Sequence, residues 1–182
     1  MEVFEAIRTR RSIRVYEDKP VEEEKLRKVL EAARLAPSAG NRQPWRFIVV
    51  TDPKVKEELR LTKEKLRPPP REPLRGPPRD PIRSAPVIVV GCALPGESFP
   101  GTDFWKIDVA IALQNLVLVA WEQGLGTCWV GVFHEEGEVK KVLGLPEEAR
   151  VVAMITLGYP AEKKEPVTDR KPLDEIVRYN HW

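Results

Sequence analysis

Seven residues near the start of the chain, Arg8-Thr9-Arg10-Arg11-Ser12-Ile13-Arg14, place four guanidinium groups beside the Ser12 hydroxyl. A guanidinium is always charged and offers a rigid fork of donors that matches the oxygens of phosphate or carboxylate. A cluster of this density can hold one phosphate group. It can also be a solvated basic face, because Lys and Arg total 30 against 28 Asp and Glu and positive charge is spread through the whole chain.

Other chemistry has little material to work with. His134 and His181 are the only histidines, and neither stands at ligand spacing from a cysteine or a carboxylate pair, which argues against zinc or non-haem iron. There is no phosphate loop of the P-loop kind, no Gly-x-Gly-x-x-Gly, and no histidine pattern that would activate a serine or cysteine. Cys92 and Cys128 lie in apolar, strand-like runs, as buried reduced thiols do. Net charge is +2 with interspersed signs, so no global field for nucleic acid is expected. Asn occurs only at 41, 115 and 180 and Gln only at 43, 114 and 123, while Pro reaches 18 and charge 32%, a pattern that hints at a thermophile. Asn41, Gln43, Gln114 and Asn115 are then expected to persist because both edges of the amide are used. An anion site, glycines that admit close approach and no evident catalytic side chain together suggest a phosphorylated cofactor that supplies the chemistry while the protein binds and orients it.

The surrounding pattern supplies elements to carry such a site. Val3, Phe4 and Ile7 form one apolar face of a short opening helix that delivers the arginines at its C-terminal end. Pro20 and Glu22-Glu23-Glu24 start a second helix, with Leu26, Val29, Leu30 and Ala33 on its apolar face and Pro37 at its end. Ser38-Ala39-Gly40-Asn41 reads as a turn, Arg46–Val50 as a buried strand, and Asp52-Pro53 to about Lys65 as a helix. Residues 67–86 turn abruptly proline-rich and read as a surface loop or lid, able to support neither helix interior nor central strand. Val87–Cys92 is a central strand, Asp108–Gln123 a buried core helix closed by Gly124, Gly126–Phe133 a strand, Glu135–Leu143 a short helix and Val151–Gly158 a buried strand. Gln114 and Asn115 interrupt the core helix as amides that need partners, whether backbone, a neighbouring subunit or a ligand edge, with satisfied amides within the core the first expectation. Residues 160–182 form a polar, extended tail with a basic pair at Arg170-Lys171. No apolar run approaches the roughly 18 residues of a membrane span, and the N-terminus lacks a signal-peptide pattern, so a single cytoplasmic domain over 1–182 is expected. The alternation indicates an α+β or mixed α/β sandwich.

Four motifs in order, Arg10-Arg11-Ser12-Ile13-Arg14, the run Ala36-Pro37-Ser38-Ala39-Gly40-Asn41-Arg42-Gln43-Pro44-Trp45, the run Gly124-Leu125-Gly126-Thr127-Cys128-Trp129-Val130-Gly131 and the basic tail, resemble the nitroreductase family over nearly the whole chain. That resemblance implies an α+β fold with a mainly antiparallel sheet flanked by helices, in a homodimer interwoven through extended termini that holds two FMN molecules at its interface. By motif position it implies that Arg10, Arg11, Ser12 and Arg14 hold the FMN phosphate, ribityl chain and pyrimidine edge, with Arg170 and Lys171 adding phosphate contacts. Pro37, Ser38, Ala39 and Asn41 would come from the other subunit. Trp129, Val130 and Gly131 would lie against the isoalloxazine with a backbone N–H near N5. The implied reaction is ping-pong: hydride passes from NADH or NADPH to the flavin and on to a small-molecule acceptor such as a nitro compound or quinone. Positive charge near the pyrimidine edge favours the reduced flavin, so Arg14 is expected to tune its potential as well as bind it.

Two departures from the family pattern bear on this. Val130 stands where many members carry an acidic residue, which leaves only a backbone donor there, and the proline-rich stretch replaces an amide-bearing segment. Same-fold enzymes with other flavin chemistry, such as flavin fragmentation or reductive dehalogenation, and a flavin-binding module without turnover are the competing readings. The Pro-Arg stretch also admits a polyproline contact with a protein partner.

Overall fold

A computed structural model of the chain describes residues 1–64, 80–131, 136–167 and 169–182. Its centre is a four-stranded antiparallel sheet built from β1 (Trp45–Val50), β2 (Val87–Ala93), β3 (Gly126–Gly131) and β4 (Arg150–Gly158), in spatial order β1-β2-β4-β3. The helices are α1 (Val3–Thr9), α2 (Glu23–Arg34), α3 (Pro53–Glu64), α4 (Pro81–Ser84), α5 (Phe104–Glu122), α6 (Glu136–Leu143) and α7 (Leu173–Ile176).

The two inner strands are continuous apolar runs because both faces of the sheet are covered. Val87, Val89 and Ala93 of β2 face α2 and α5, while Ile88, Val90 and Cys92 face Leu59, Ile82 and Val139 from α3, α4 and α6. α5 is the central beam, burying Val109, Leu113, Leu116 and Val117 against the sheet and α2. It ends where expected, in a Schellman closure: Leu125 N–H reaches Ala120 C=O at 2.9 Å and Gly124 N–H reaches Trp121 C=O at 3.0 Å, with Gly124 at φ 76°. Both cysteines are buried free thiols, and burial pushes the Cys92 thiol up to about 11.

Several sequence expectations change. α5 starts at Phe104, earlier than the pattern suggested, and its 19 residues make it the one described helix long and apolar enough by composition to cross a membrane, although one side of it is core. The other side is not core: Phe104, Ile107, Ile111 and Gln114, spaced three and four apart, are exposed, so Gln114 is not a core amide. Asn115 is half-buried and donates to Ala32 C=O at 3.4 Å. The apolar face of α1 also points to solvent, with Val3, Phe4 and Ile7 exposed and Ala6 alone packed. β1 is an edge strand with only Trp45 and Val50 buried, not a buried one. The proline-rich lid falls outside the described residues over 67–79; its last part is α4, whose Pro81 takes the first helical position, where a missing N–H costs nothing, with the Asp80 carboxylate accepting from Ile82 N–H at 3.1 Å. Phe133, His134 and Glu135 also lie outside the described residues.

Candidate functional site

The arginine segment is fixed at both ends. Thr9 closes α1: its Oγ1 donates to Glu5 C=O at 2.7 Å and accepts from Trp121 Nε1 of α5 at 2.9 Å. From there the chain runs extended along the outer edge of β3, in a parallel bridge between Ser12 and Thr127, with Ile13 N–H donating to Thr127 C=O at 2.9 Å. This approach requires glycine at 126, where a Cβ would stand 2.6 Å from Ile13 Cγ1 and 2.7 Å from Ile13 Cβ. Ile13 is buried in a small cluster with Tyr16, Ala85 and Trp121. Extended backbone alternates its side chains, so burying Ile13 turns Ser12 and Arg14 to the opposite, open side. Tyr16 anchors the segment from below: its hydroxyl donates to Ile13 C=O at 2.7 Å and meets Thr156 Oγ1 at 2.7 Å, and burial raises its pKa well above the usual phenol value.

Electrostatics separates the four guanidinium groups. Arg8 is paired with Glu5 at 2.9 Å. Arg10 is half-buried, and its pKa is lowered first by burial and then by repulsion from Arg170 and Arg11, with Cys128 acting the other way. Arg11 donates to Glu165 C=O. Among the described residues no carboxylate forms an ion pair with the guanidinium of Arg10, Arg11, Arg14 or Arg170. Arg10, crowded by Arg11 and Arg170 with no carboxylate paired to any of the three among the described residues, fits a bound anion of high charge density, and a phosphate monoester has that chemistry. The tail thus brings Arg170 to the cluster, while Lys171 is exposed without a described contact.

Beyond Thr127, β3 continues as the platform. Thr127 points its carbonyl away from β4, and by the two-residue alternation of an antiparallel pair Trp129 and Gly131 present their N–H groups on that same open edge. Val130 faces its partner Met154 in β4, and its side chain, 4% exposed, belongs to the core. Its contribution at this edge is therefore backbone shape alone.

Pro37, Ser38, Ala39 and Asn41 lie elsewhere in the chain. The turn they form contains Gly40 at φ 59° and Asn41 and Gln43 at φ 53°, and is held by Ser38 Oγ, which accepts from Gln43 N–H at 2.9 Å. Asp108 clamps it from α5: Oδ1 accepts from Ala39 N–H at 3.0 Å, while Oδ2 is buried without a hydrogen-bond partner among the described residues. Asn41 and Gln43 bond each other, Nε2 to Oδ1 at 3.3 Å. Asp108 marks this turn on α5 and Trp121 marks the arginine end; thirteen residues at about 1.5 Å each separate them by about 20 Å. Within one chain the turn and the start of the arginine segment are thus anchored toward opposite ends of α5. Sequence reasoning missed Asp108, although a lone carboxylate at the head of an apolar run was visible; it resembled an ordinary helix start.

Comparison with known proteins decides the family. The nitroreductase family model matches residues 7–159. The chain belongs to the nitroreductase family. A protein of Archaeoglobus fulgidus, provisionally named NADH dehydrogenase/NAD(P)H nitroreductase, is 39% identical over 182 residues, covering 97% of each chain. A solved FMN-dependent nitroreductase from Clostridium difficile R20291 is 30% identical with a TM-score of 0.82, covering 97% of this chain and 98% of that one. The 5,6-dimethylbenzimidazole synthase of Rhodospirillum rubrum is 30% identical over 93% of this chain and 83% of its own. The four-stranded sheet and its flanking helices are thus the nitroreductase α+β fold, and this nitroreductase is an oxidoreductase.

Proposed function

We propose that this nitroreductase binds FMN and uses NADH or NADPH to reduce a small electrophilic acceptor, a nitro compound or a quinone, as a homodimer. The observation that carries the reading is the unneutralised cluster of Arg10, Arg11 and Arg170 at the open edge of β3. Arg10, Arg11, Arg170 and Lys171 would hold the phosphate, Ser12 the ribityl chain and Arg14 the pyrimidine edge. Bound there, FMN supplies hydride transfer between the nicotinamide and the acceptor. Trp129, Val130 and Gly131 would form the floor under the ring, with the open-edge N–H groups of Trp129 and Gly131 as donors. No side chain is assigned as acid or base. Free, buried thiols suit a reducing compartment such as the cytoplasm.

Two observations support the dimer. The turn at Pro37, Ser38, Ala39 and Asn41 stands about 20 Å along α5 from the arginine end, a separation that suits its serving the flavin of a second copy. The faces that would meet that copy are apolar: Phe4 and Ile7 on α1, Phe104, Ile107 and Ile111 on α5, and Leu173 and Ile176 on the exposed tail.

The test is reconstitution with FMN followed by steady-state oxidation of NADH and NADPH with a quinone and a nitroarene. Parallel double-reciprocal lines, the sign of a ping-pong cycle, are expected; absence of turnover with every pairing would refute the reading. The relation to 5,6-dimethylbenzimidazole synthase favours a second reading, other flavin chemistry on this fold. Net loss of the flavin chromophore during aerobic incubation with reductant would identify it.

A further inference from the structure

Residues 11–17 and 159–165 run side by side as an antiparallel ribbon, and the way its rungs change along its length carries an inference that rests on the flavin reading above. At one end the rungs are backbone bonds. Glu17 N–H donates to Tyr159 C=O at 2.9 Å and Ala161 N–H to Val15 C=O at 3.0 Å, around an antiparallel bridge between Tyr16 and Pro160. Toward the arginines, side chains take over. Glu162 Oε1 accepts from Arg14 N–H at 2.7 Å, where a neighbouring strand would offer a carbonyl. Lys164 Nζ donates to Ser12 C=O at 2.5 Å, where a strand would offer an N–H. The two side chains are bonded to each other at 2.8 Å and are only 13% and 12% exposed.

We infer that Glu162 and Lys164 are positioning residues of the cofactor site, a side-chain substitute for a missing strand that holds Ser12 and Arg14 extended and facing the flavin. β3 occupies the opposite edge through Ile13 N–H, so the segment is gripped from both sides although no strand runs beside it on this one. The choice of a charged pair has a consequence of its own. Glu162 and Lys164 are neutral as a unit, so the acceptor that orders Arg14 does not cancel the positive field of Arg10, Arg11 and Arg14. Lys164 and the Arg14 guanidinium meet at the Ser12 carbonyl, Nζ at 2.5 Å and Nη1 at 3.5 Å, so the pair also borders the Arg14 side chain.

The test uses Lys164→Met, Lys164→Arg and Glu162→Gln. Three quantities are read: FMN affinity of the apoprotein by flavin-fluorescence quenching, midpoint potential of the bound flavin, and thermal midpoint of the apoprotein. Lys164→Met is expected to weaken FMN binding about tenfold, the scale of one charge-assisted hydrogen bond, and to lower the potential because a positive charge beside the site is removed. Lys164→Arg keeps the donor and the charge and restores both. Glu162→Gln keeps an acceptor but leaves a cation uncompensated, so it raises the potential. Opposite signs in the two charge-changing variants are the signature, because a pair that served stability alone would lower the thermal midpoint and leave the potential in place. Wild-type affinity and potential in both variants, or shifts of the same sign, would overturn the inference. Should Lys164→Met fail to fold, Glu162→Gln decides alone: a raised potential supports the brace and an unchanged or lowered one overturns it. Failure of the wild-type protein to bind FMN is a separate outcome, seen without any variant; it would refute the flavin reading and this inference with it.

Discussion

Gly126→Ala tests whether the arginine segment owes its place to the close approach on β3. The added Cβ would sit 2.7 Å from Ile13 Cβ, whereas ordinary contact begins near 3.4 Å, so the Ile13 backbone must retreat by roughly 0.7 Å. The obstacle is the root of a β-branched side chain rather than a flexible tip, so no rotamer change relieves it. Retreat stretches the Ile13 N–H to Thr127 C=O bond from 2.9 Å to about 3.6 Å, beyond hydrogen-bonding range. Overpacking of this kind costs about 1–3 kcal/mol, which for a domain of this size lowers the thermal midpoint by about 2–12 °C. Because Ser12 and Arg14 flank Ile13, FMN affinity falls as well. Thermal unfolding of the apoprotein and an FMN titration read the two effects, with Gly96→Ala as the control, since its Cβ would meet nothing within 4 Å. A Gly126→Ala protein with wild-type melting and wild-type FMN affinity would refute the reasoning.

Arg14→Ala removes positive charge from the proposed pyrimidine edge; weaker FMN retention and a lower flavin midpoint potential are expected by titration and spectroelectrochemistry, and an unchanged potential would remove that role. Ile107→Asp places a charge on the exposed apolar stripe of α5 and is expected to yield a folded monomer that does not retain FMN, as read by light scattering and absorbance. Alkaline stability should follow the buried acids. Cys92, raised by burial from about 9 to about 11, and Tyr16, raised by burial, both favour their protonated forms in the folded state, so their contribution is intact at neutral pH and is lost as pH climbs through that window. Urea unfolding from pH 8 to 11 should show falling stability, with a shallower fall in Cys92→Ala.

Much of the fold was legible because burial on two faces leaves an unambiguous mark. The Val and Ile runs of β2 and β4, and α5 with its Gly124 stop, could be read directly. The errors fall where a pattern shows that a surface must be covered but not by what. Val3, Phe4 and Ile7 read correctly as one face of α1, yet that face meets solvent in the single chain; Gln114 read as core because its neighbours are apolar, yet it lies on the outer stripe of α5. β1 looked buried by composition and proved to be an edge. In the candidate site, the arginines stood out by charge density. Asp108, Glu162 and Lys164 did not, because each bonds backbone atoms distant in sequence, and a side chain that acts on another segment's backbone leaves no local periodicity.

The most direct test of the central claim is an anaerobic titration of the FMN-loaded protein with NADH and then NADPH, followed by absorbance. The account predicts flavin bands that bleach on addition of at least one nucleotide and return when a quinone is added. Bands that persist through both additions, or a protein that remains colourless after reconstitution with FMN, would contradict it.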